Sequence, residues 1–273
     1  MSPLRLMCVL AHPDDESLGV GGVLAKYAAE GVDTRLITAT RGEHGWAGPA
    51  EARPTPEALG RLREGELRAA AGVLGVREVA FLDYIDGHLD QARPDEAVGK
   101  IVAHLRRIRP QVVVTNGPEG WYGHPDHIAI CQFTAAALVC AADAGYPDPA
   151  GRPPHRVLKH YYAVDTEAAV RVFERLAGGP ISMDVDGVAR RQVVWPEWCI
   201  TTRLEAEAHW PTVLRAILCH RSQLGSLPAL ESLPAETQAE LWGRPTLIRA
   251  FSLVNGGRAV ERDLFEGIGR HAG

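Results

Sequence analysis

The chain has 273 residues, 46% of them hydrophobic and 23% charged, enough to bury a large core in one α/β unit and too apolar for a disordered chain. A formal net charge of -5 argues against a nucleic-acid-binding surface, which would show clustered Lys and Arg. The five cysteines, Cys8, Cys131, Cys140, Cys199 and Cys219, contain no C-x-x-C pair, and their odd number excludes a complete internal disulfide framework, so a reducing cytoplasm is expected.

Met1 to Arg5 is too short for the charged and apolar regions of a signal peptide, and no apolar run reaches ~18 residues, so neither a leader nor a membrane span is expected. Leu4 to Leu10 reads as a strand buried on both faces, and Glu16 to Glu30 follows with Leu18, Val23, Leu24 and Tyr27 at helical spacing, ended by Gly31. Thr34 to Thr40 reads as a second strand. The first forty residues thus form a β-α-β unit, which implies parallel strands and a right-handed crossover. Gly19-Val20-Gly21-Gly22 invites a dinucleotide reading, but residue 24 is leucine and G-x-G-x-x-G is not completed.

Arg41 to Pro56 is loop-like and opens with Gly42-Glu43-His44-Gly45-Trp46, where ligands bind in parallel α/β sheets. Glu57 to Leu74 is an amphipathic helix carrying Arg63, Glu64 and Glu66, with Gly75 as its cap. Arg63, Arg68, Arg106, Arg107 and Arg109 fall mostly on helix-like stretches, as solvated faces do. Val79 to Leu82 is a third strand, followed by the acidic loop Asp83-Tyr84-Ile85-Asp86. Glu96 to Ile108 is a helix and Gln111 to Asn116 a β-branched strand. Tyr122-Gly123-His124-Pro125-Asp126-His127 comes next, with Pro125 suited to the first position of a helix continuing over Ile128 to Ala142 and His127 in its first turn.

Beyond residue 145, Pro147, Pro149, Pro153 and Pro154 form a short linker-like stretch before strand-like Val157 to Val164. Helices are expected over Glu167 to Leu176, Trp210 to Gln223 and Ala235 to Leu241, and strands over Ile181 to Val185 and Leu247 to Leu253. The expected architecture is one α/β domain over residues 1–273, a Rossmann-like three-layer sandwich with a mostly parallel sheet and an irregular C-terminal half. Residues 146–205 form its variable, substrate-side segment.

Ala11-His12-Pro13-Asp14-Asp15-Glu16 lies directly after the first strand. His12 and Asp15 offer an imidazole nitrogen and a carboxylate oxygen, suited to a borderline divalent ion, and the second His-Pro-Asp cluster supplies the further histidine. Two His and one Asp would leave an open position, as in catalytic zinc sites. Adjacent loop side chains point in different directions, so Asp14 would be free to act on water beside the metal. A competing account makes Pro13 a turn former and the three acids favourable charges at a helix N-terminus. The same donor set also suits a non-haem iron oxygenase, and a catalytically inactive sugar-binding module is a third reading.

These residues resemble the LmbE-like (PIG-L) family of N-acetylglucosaminyl deacetylases: Ala11 to Glu16 matches its A-H-P-D-D-E motif and Gly123 to His127 its G-H-P-D-H motif. Weaker echoes are Gly42-Glu43-x-Gly45, Arg63-x-x-Glu66-Leu67 and His220-x-Ser222-Gln223. The resemblance implies a Zn2+ held by His12, Asp15 and His127, with Asp14 as general base and His124 facing the reacting carbonyl, oriented by Asp126. Tyr122 would help stabilise the oxyanion, or else anchor the loop. It further implies a small-molecule N-acyl amino-sugar conjugate as substrate. Arg63, Glu43, Asp83 and Asp86 are the candidate sugar-binding residues, and Trp46, Trp121, Trp195 and Trp198 could stack on a sugar or simply pack. Whether the chain forms a homo-oligomer is left open.

Overall fold

Five parallel strands fix the position of everything else in the computed structural model, which describes residues 3–269 apart from 178, 181, 186 and 227–229. The strands β1 (Arg5–Leu10), β2 (Asp33–Thr40), β3 (Glu78–Tyr84), β4 (Val112–Asn116) and β5 (Lys159–Ala163) run parallel. A separate hairpin pairs β6 (Ser182–Val185) with β7 (Val188–Arg191). The main sheet is completed by β8 (Thr202–Arg203) and by β9 (Thr246–Ser252), which runs antiparallel to both β5 and β8. The order is β3-β2-β1-β4-β5-β9-β8. The chain winds outward in one direction from β1 and in the other from β4, so a crevice opens at the carboxyl ends of these two neighbours.

The alternation of β1 shows why this is a three-layer fold. Leu6, Cys8 and Leu10 point to one face and join a core with Leu24, Leu67, Val213 and Trp242; Met7 and Val9 point to the other and meet Ile101, Leu105, Ile130 and Ala137. The first face is covered by α2 (Gly21–Ala29), α3 (Pro56–Leu74), α8 (Trp210–Ile217) and α9 (Ala235–Trp242), and the second by α4 (Pro94–Ile108) and α6 (Pro125–Ala142). The remaining helices are α1 (Asp15–Leu18), α5 (Gly120–Gly123) and α7 (Glu167–Ala177).

Local chemistry sets the boundaries. Thr55 caps α3 by accepting from the Ala58 N–H, Pro56 sits at its first position, and Gly75 ends it at φ 78°. The expected single helix over Glu16 to Glu30 is broken into α1 and α2 at Gly19-Val20. Gly19 is required there because a Cβ would lie 2.2 Å from the Trp121 ring. The helix expected to reach Gln223 stops at Ile217, and residues 218–223 turn inward instead. Asp83 and Tyr84 belong to β3 rather than to a loop.

Helix α6 is 18 residues long with mean hydropathy 1.3, long and apolar enough to cross a bilayer by those two measures. Here it packs as a core helix on α4 and the sheet, and the buried Asp126 and His127 lie in its first turn. At the far edge, Lys159 on β5 is buried and its ammonium lies 2.6 Å from Glu261 Oε1.

Candidate active site

The crevice between β1 and β4 holds two loops, each delivered by a buried strand. The loop after β1 places His12, Asp14 and Asp15; the loop after β4 runs through α5 and enters α6 at His124, Asp126 and His127. Backbone at Gly120 (φ 67°), Trp121 (φ 59°) and Gly123 (φ 79°) is left-handed, which lets the chain double back between strand and helix. Its strain is held by outside bonds: the Trp121 indole donates to Ala163 O, the Val193 N–H to Trp121 O, and Arg190 to Gly123 O at 2.7 Å.

His12, Asp15 and His127 meet. His12 Nδ1 is 3.1 Å from His127 Nε2, which is 3.3 Å from Asp15 Oδ1; His12 Nδ1 to Asp15 Oδ2 is 3.8 Å. Ligand atoms around a tetrahedral zinc stand roughly 3.3–3.5 Å apart. The hydrogen-bond partners fix what these nitrogens offer. His127 Nδ1 lies 3.3 Å from Gly120 O, so it carries the proton and leaves a lone pair on Nε2. His12 Nε2 lies between Asp86 Oδ1 (3.1 Å) and Asp126 Oδ2 (3.2 Å), so the proton belongs there and the Nδ1 lone pair faces His127. Two imidazole lone pairs and a carboxylate therefore converge on one point, an arrangement that a divalent cation resolves. Asp15 Oδ2 is steadied by the Ala11 and His12 N–H groups.

A second His/Asp/His group, His12, Asp86 and His124, shares the imidazole of His12. It does not fit a metal. His124 Nδ1 accepts the Asp126 N–H at 3.1 Å as the cap of α6, so the neutral ring carries its proton on Nε2 and presents a donor where a ligand needs a lone pair. Burial, joined by repulsion from His12 and His127 when those rings are protonated, pushes the His124 pKa down to about 4, so the ring is neutral at physiological pH.

The acids are separated by their surroundings. Burial drives Asp15 upward, but the charges and hydrogen bonds of His127 and His12 outweigh it and hold the carboxyl far below its ordinary range. Asp14 moves the other way. Burial and the Asp15 charge push its pKa up to about 6 against the pull of Arg63, whose Nη2 lies 3.1 Å from Asp14 Oδ2. Two adjacent carboxyls set apart in this way are fitted to different tasks. Tyr122 stands 5.6 Å from His127 and 5.8 Å from His124, ring centre to ring centre. Burial and the Asp15 and Asp14 charges raise its phenol, which stays a donor.

Several expected roles change. Asp126 does not orient the His124 ring through its carboxylate: that group accepts from Gly87 N (2.7 Å), Leu89 N (3.0 Å) and His12 Nε2. It therefore fixes the His12 tautomer and the 87–89 turn, while only its backbone N–H reaches His124. Asp83 lies on the exposed rim, paired with Arg41 at 2.7 Å, outside the cluster. Arg63 is neither a solvated helix residue nor an open sugar ligand. It is buried, and its guanidinium donates to Pro13 O, Gly42 O and Asp14. Asp86 does enter the site, with Oδ2 on the His44 N–H and its own N–H on Glu43 Oε2. Among the tryptophans, Trp121 is core, Trp46 donates to Pro49 O and Trp198 is 85% exposed.

Two features escaped the sequence reading: the hold of Arg190 on the second motif, and the link of Glu16 to His220 at 2.6 Å. The first had no signal, because Arg190 lies in a segment without alignable motifs. The second was hinted at by the isolated His220-x-Ser222-Gln223.

Known proteins share both the sequence and the fold. The GlcNAc-PI de-N-acetylase (PIG-L) family profile matches residues 7–138. A 1D-myo-inositol 2-acetamido-2-deoxy-alpha-D-glucopyranoside deacetylase of Kineococcus radiotolerans is 35% identical, over 97% of this chain and 83% of that protein. One from Streptomyces griseus is 37% identical, over 97% and 89%. Among solved structures, the conserved protein TT1542 from Thermus thermophilus superposes with a TM-score of 0.63 at 24% identity, over 93% of this chain and 97% of that one, which bears on the fold alone. With both motifs, the doubly wound sheet and relatives above 30% identity matched over 83% and 89% of their length, the chain belongs to the PIG-L (LmbE-like) family of deacetylases.

Proposed function

We propose that this protein is a zinc-dependent hydrolase that removes the acetyl group from a soluble N-acetylglucosamine conjugate, with a polyol such as inositol as the favoured aglycone. The convergence of the His12, His127 and Asp15 donor atoms beside an Asp14 carboxyl with a raised pKa carries this reading. The names of the relatives from Kineococcus and Streptomyces support the aglycone.

His12, Asp15 and His127 would hold the ion. When bound, zinc acidifies water and polarises a carbonyl. The rest of amide hydrolysis falls to the chain's own side chains. Asp14, as carboxylate, takes a proton from the attacking water and returns it to the departing amine nitrogen, which cannot leave as an anion. The neutral His124 donates from Nε2–H to the developing oxyanion, and the Tyr122 hydroxyl is a second donor. Arg63 acts behind Asp14, steadying its carboxylate. Glu43 and the buried Asp86, linked through the Asp86 N–H, offer carboxylate lone pairs to sugar hydroxyls, those of Asp86 being shared with His12 Nε2 and the His44 N–H. The segment 146–205 contributes to the substrate side, since Arg190 and Val193 lie against the loop carrying His124. The free state of all five cysteines supports a reducing, cytoplasmic setting.

The test is amine release from N-acetylglucosamine conjugates bearing inositol, malate, thiol or lipid aglycones, with zinc present. Turnover of a soluble conjugate is expected. Turnover of the glycolipid alone, or of none, would overturn the reading.

A further inference from the structure

Asp14, Asp15 and Glu16 are three consecutive acids packed into a largely buried loop, and each has its own partner. Asp14 has Arg63, Asp15 faces the two imidazoles, and Glu16 has His220, a residue 204 positions away that no step of the proposed chemistry uses. Glu16 is fully buried and His220 is 2% exposed. Glu16 Oε1 accepts from His220 Nε2 at 2.6 Å and from the Ser17 hydroxyl; its other oxygen accepts the backbone N–H of Asp14 at 2.9 Å.

That last bond matters because of where Asp14 sits. At φ 105° and ψ -28° it has a left-handed backbone, rare for a residue with a side chain, and the surrounding contacts must hold it there. Its carbonyl is tied by the N–H groups of Ser17 and Leu18, its N–H by Glu16 and its carboxylate by Arg63. The Glu16 carboxylate is in turn pinned by His220. His220 stands in the turn after α8, and the next residues lock that turn: Ser222 donates from N and Oγ to Glu66 at 2.8 and 2.7 Å, and Gln223 donates to Gly45 O at 2.6 Å. Gly45 belongs to the same loop that Arg63 grips at Gly42.

We propose that Glu16 and His220 form a buried positioning brace that acts through Asp14, holding its backbone in the left-handed conformation that aims the general base. The brace rests on the reading of Asp14 as base. It gives the His220-x-Ser222-Gln223 sequence a role: it brings a buried imidazole from the turn after α8 to the Glu16 carboxylate, behind the first motif. Because the brace touches no metal donor side chain, its loss should misdirect the base and leave the metal site intact.

The test is a double-mutant cycle on the full-length, zinc-loaded protein with a conjugate that the wild type turns over. Glu16→Ala and His220→Asn should each lower kcat by about 10–10²-fold, the scale of misaligning a catalytic group, with KM and zinc content within about twofold of wild type. Glu16→Gln should recover most of the rate, since its amide oxygen can accept the Asp14 N–H while its NH2 donates to the Nε2 lone pair of a neutral His220. In an Asp14→Asn background, His220→Asn should cost almost nothing further, because two changes acting through one group are not additive. His220→Asn leaves Glu16 bonded to Ser17, so the cycle can be completed even if Glu16→Ala fails to fold. Unchanged kcat in His220→Asn, zinc loss parallel to the rate loss, or a full additional penalty in the Asp14→Asn background would overturn the brace. Lack of any wild-type turnover would instead overturn the deacetylase reading beneath it.

Discussion

Asp126→Asn separates two accounts of the second motif. In one, the carboxylate serves His124; in the structure it receives three donors, Gly87 N, Leu89 N and His12 Nε2, at 2.7, 3.0 and 3.2 Å. An asparagine has one acceptor oxygen, and its NH2 must face at least one of those donors. If the NH2 turns to His12, a donor meets Nε2–H and only Asp86 Oδ1, at 3.1 Å, still accepts it, so the Nδ1 lone pair is held toward the metal less firmly. Loss of such a partner behind a ligating histidine costs about 10–100-fold in metal affinity, or roughly 1.4–2.7 kcal/mol. If a backbone N–H is left unpaired instead, the metal-free protein loses about 1–3 kcal/mol of stability. Zinc affinity by competition with a chromophoric chelator, with thermal melts of the metal-free protein, measures both. One or both must fall. A variant with wild-type affinity and melting but depressed kcat would refute this reasoning and return Asp126 to His124.

Activity should be lost as pH falls through about 6, because burial raises the Asp14 carboxyl to about 6 and the base works only when deprotonated. A bound cation would move that limb lower, so a kcat/KM profile with its acidic midpoint above pH 7 would contradict the assignment. The midpoint belongs to Asp14 together with the charges around it. Lys159→Met should destabilise the protein by about 3 kcal/mol, since Glu261 remains buried after losing its ammonium partner, with Arg249 still beside it. Equilibrium urea unfolding checks this, and a change under 1 kcal/mol would show that the pair is not what ties the C-terminal segment to β5.

Much of the site was legible because its information is local. The first motif follows its apolar strand directly and the second follows the β-branched β4 after the turn 117–123, and a parallel sheet presents such loops on one edge, so His12, Asp15 and His127 needed little beyond the topology to meet. Arg63 was misjudged although the signal was present: it lies four residues from both Leu59 and Leu67, on the buried face of α3, where a charge must find partners. The role of Asp126 was not legible, because its partners Gly87 and Leu89 come from a turn whose position depends on the packed β3 and α4. The strands β7 and β8 escaped because they are four and two residues long, and β7 is largely exposed, so neither carries a pattern. The exposed Asp83 looked like part of an acidic loop only because strand β3 runs on past its last fully buried residue, Leu82.

The division of labour between the two adjacent aspartates is the most direct test, and it needs one side-by-side measurement: zinc content and kcat of Asp14→Asn and Asp15→Asn. Asp15 faces His127 and His12 through its carboxylate, whereas Asp14 faces Arg63. Asp14→Asn should keep its zinc and its fold and lose about 10²–10⁴-fold in kcat, the contribution of a positioned general base, with little change in KM. Asp15→Asn should lose zinc and rate together. Near-normal turnover in Asp14→Asn, or zinc loss equal to that of Asp15→Asn, would contradict the account.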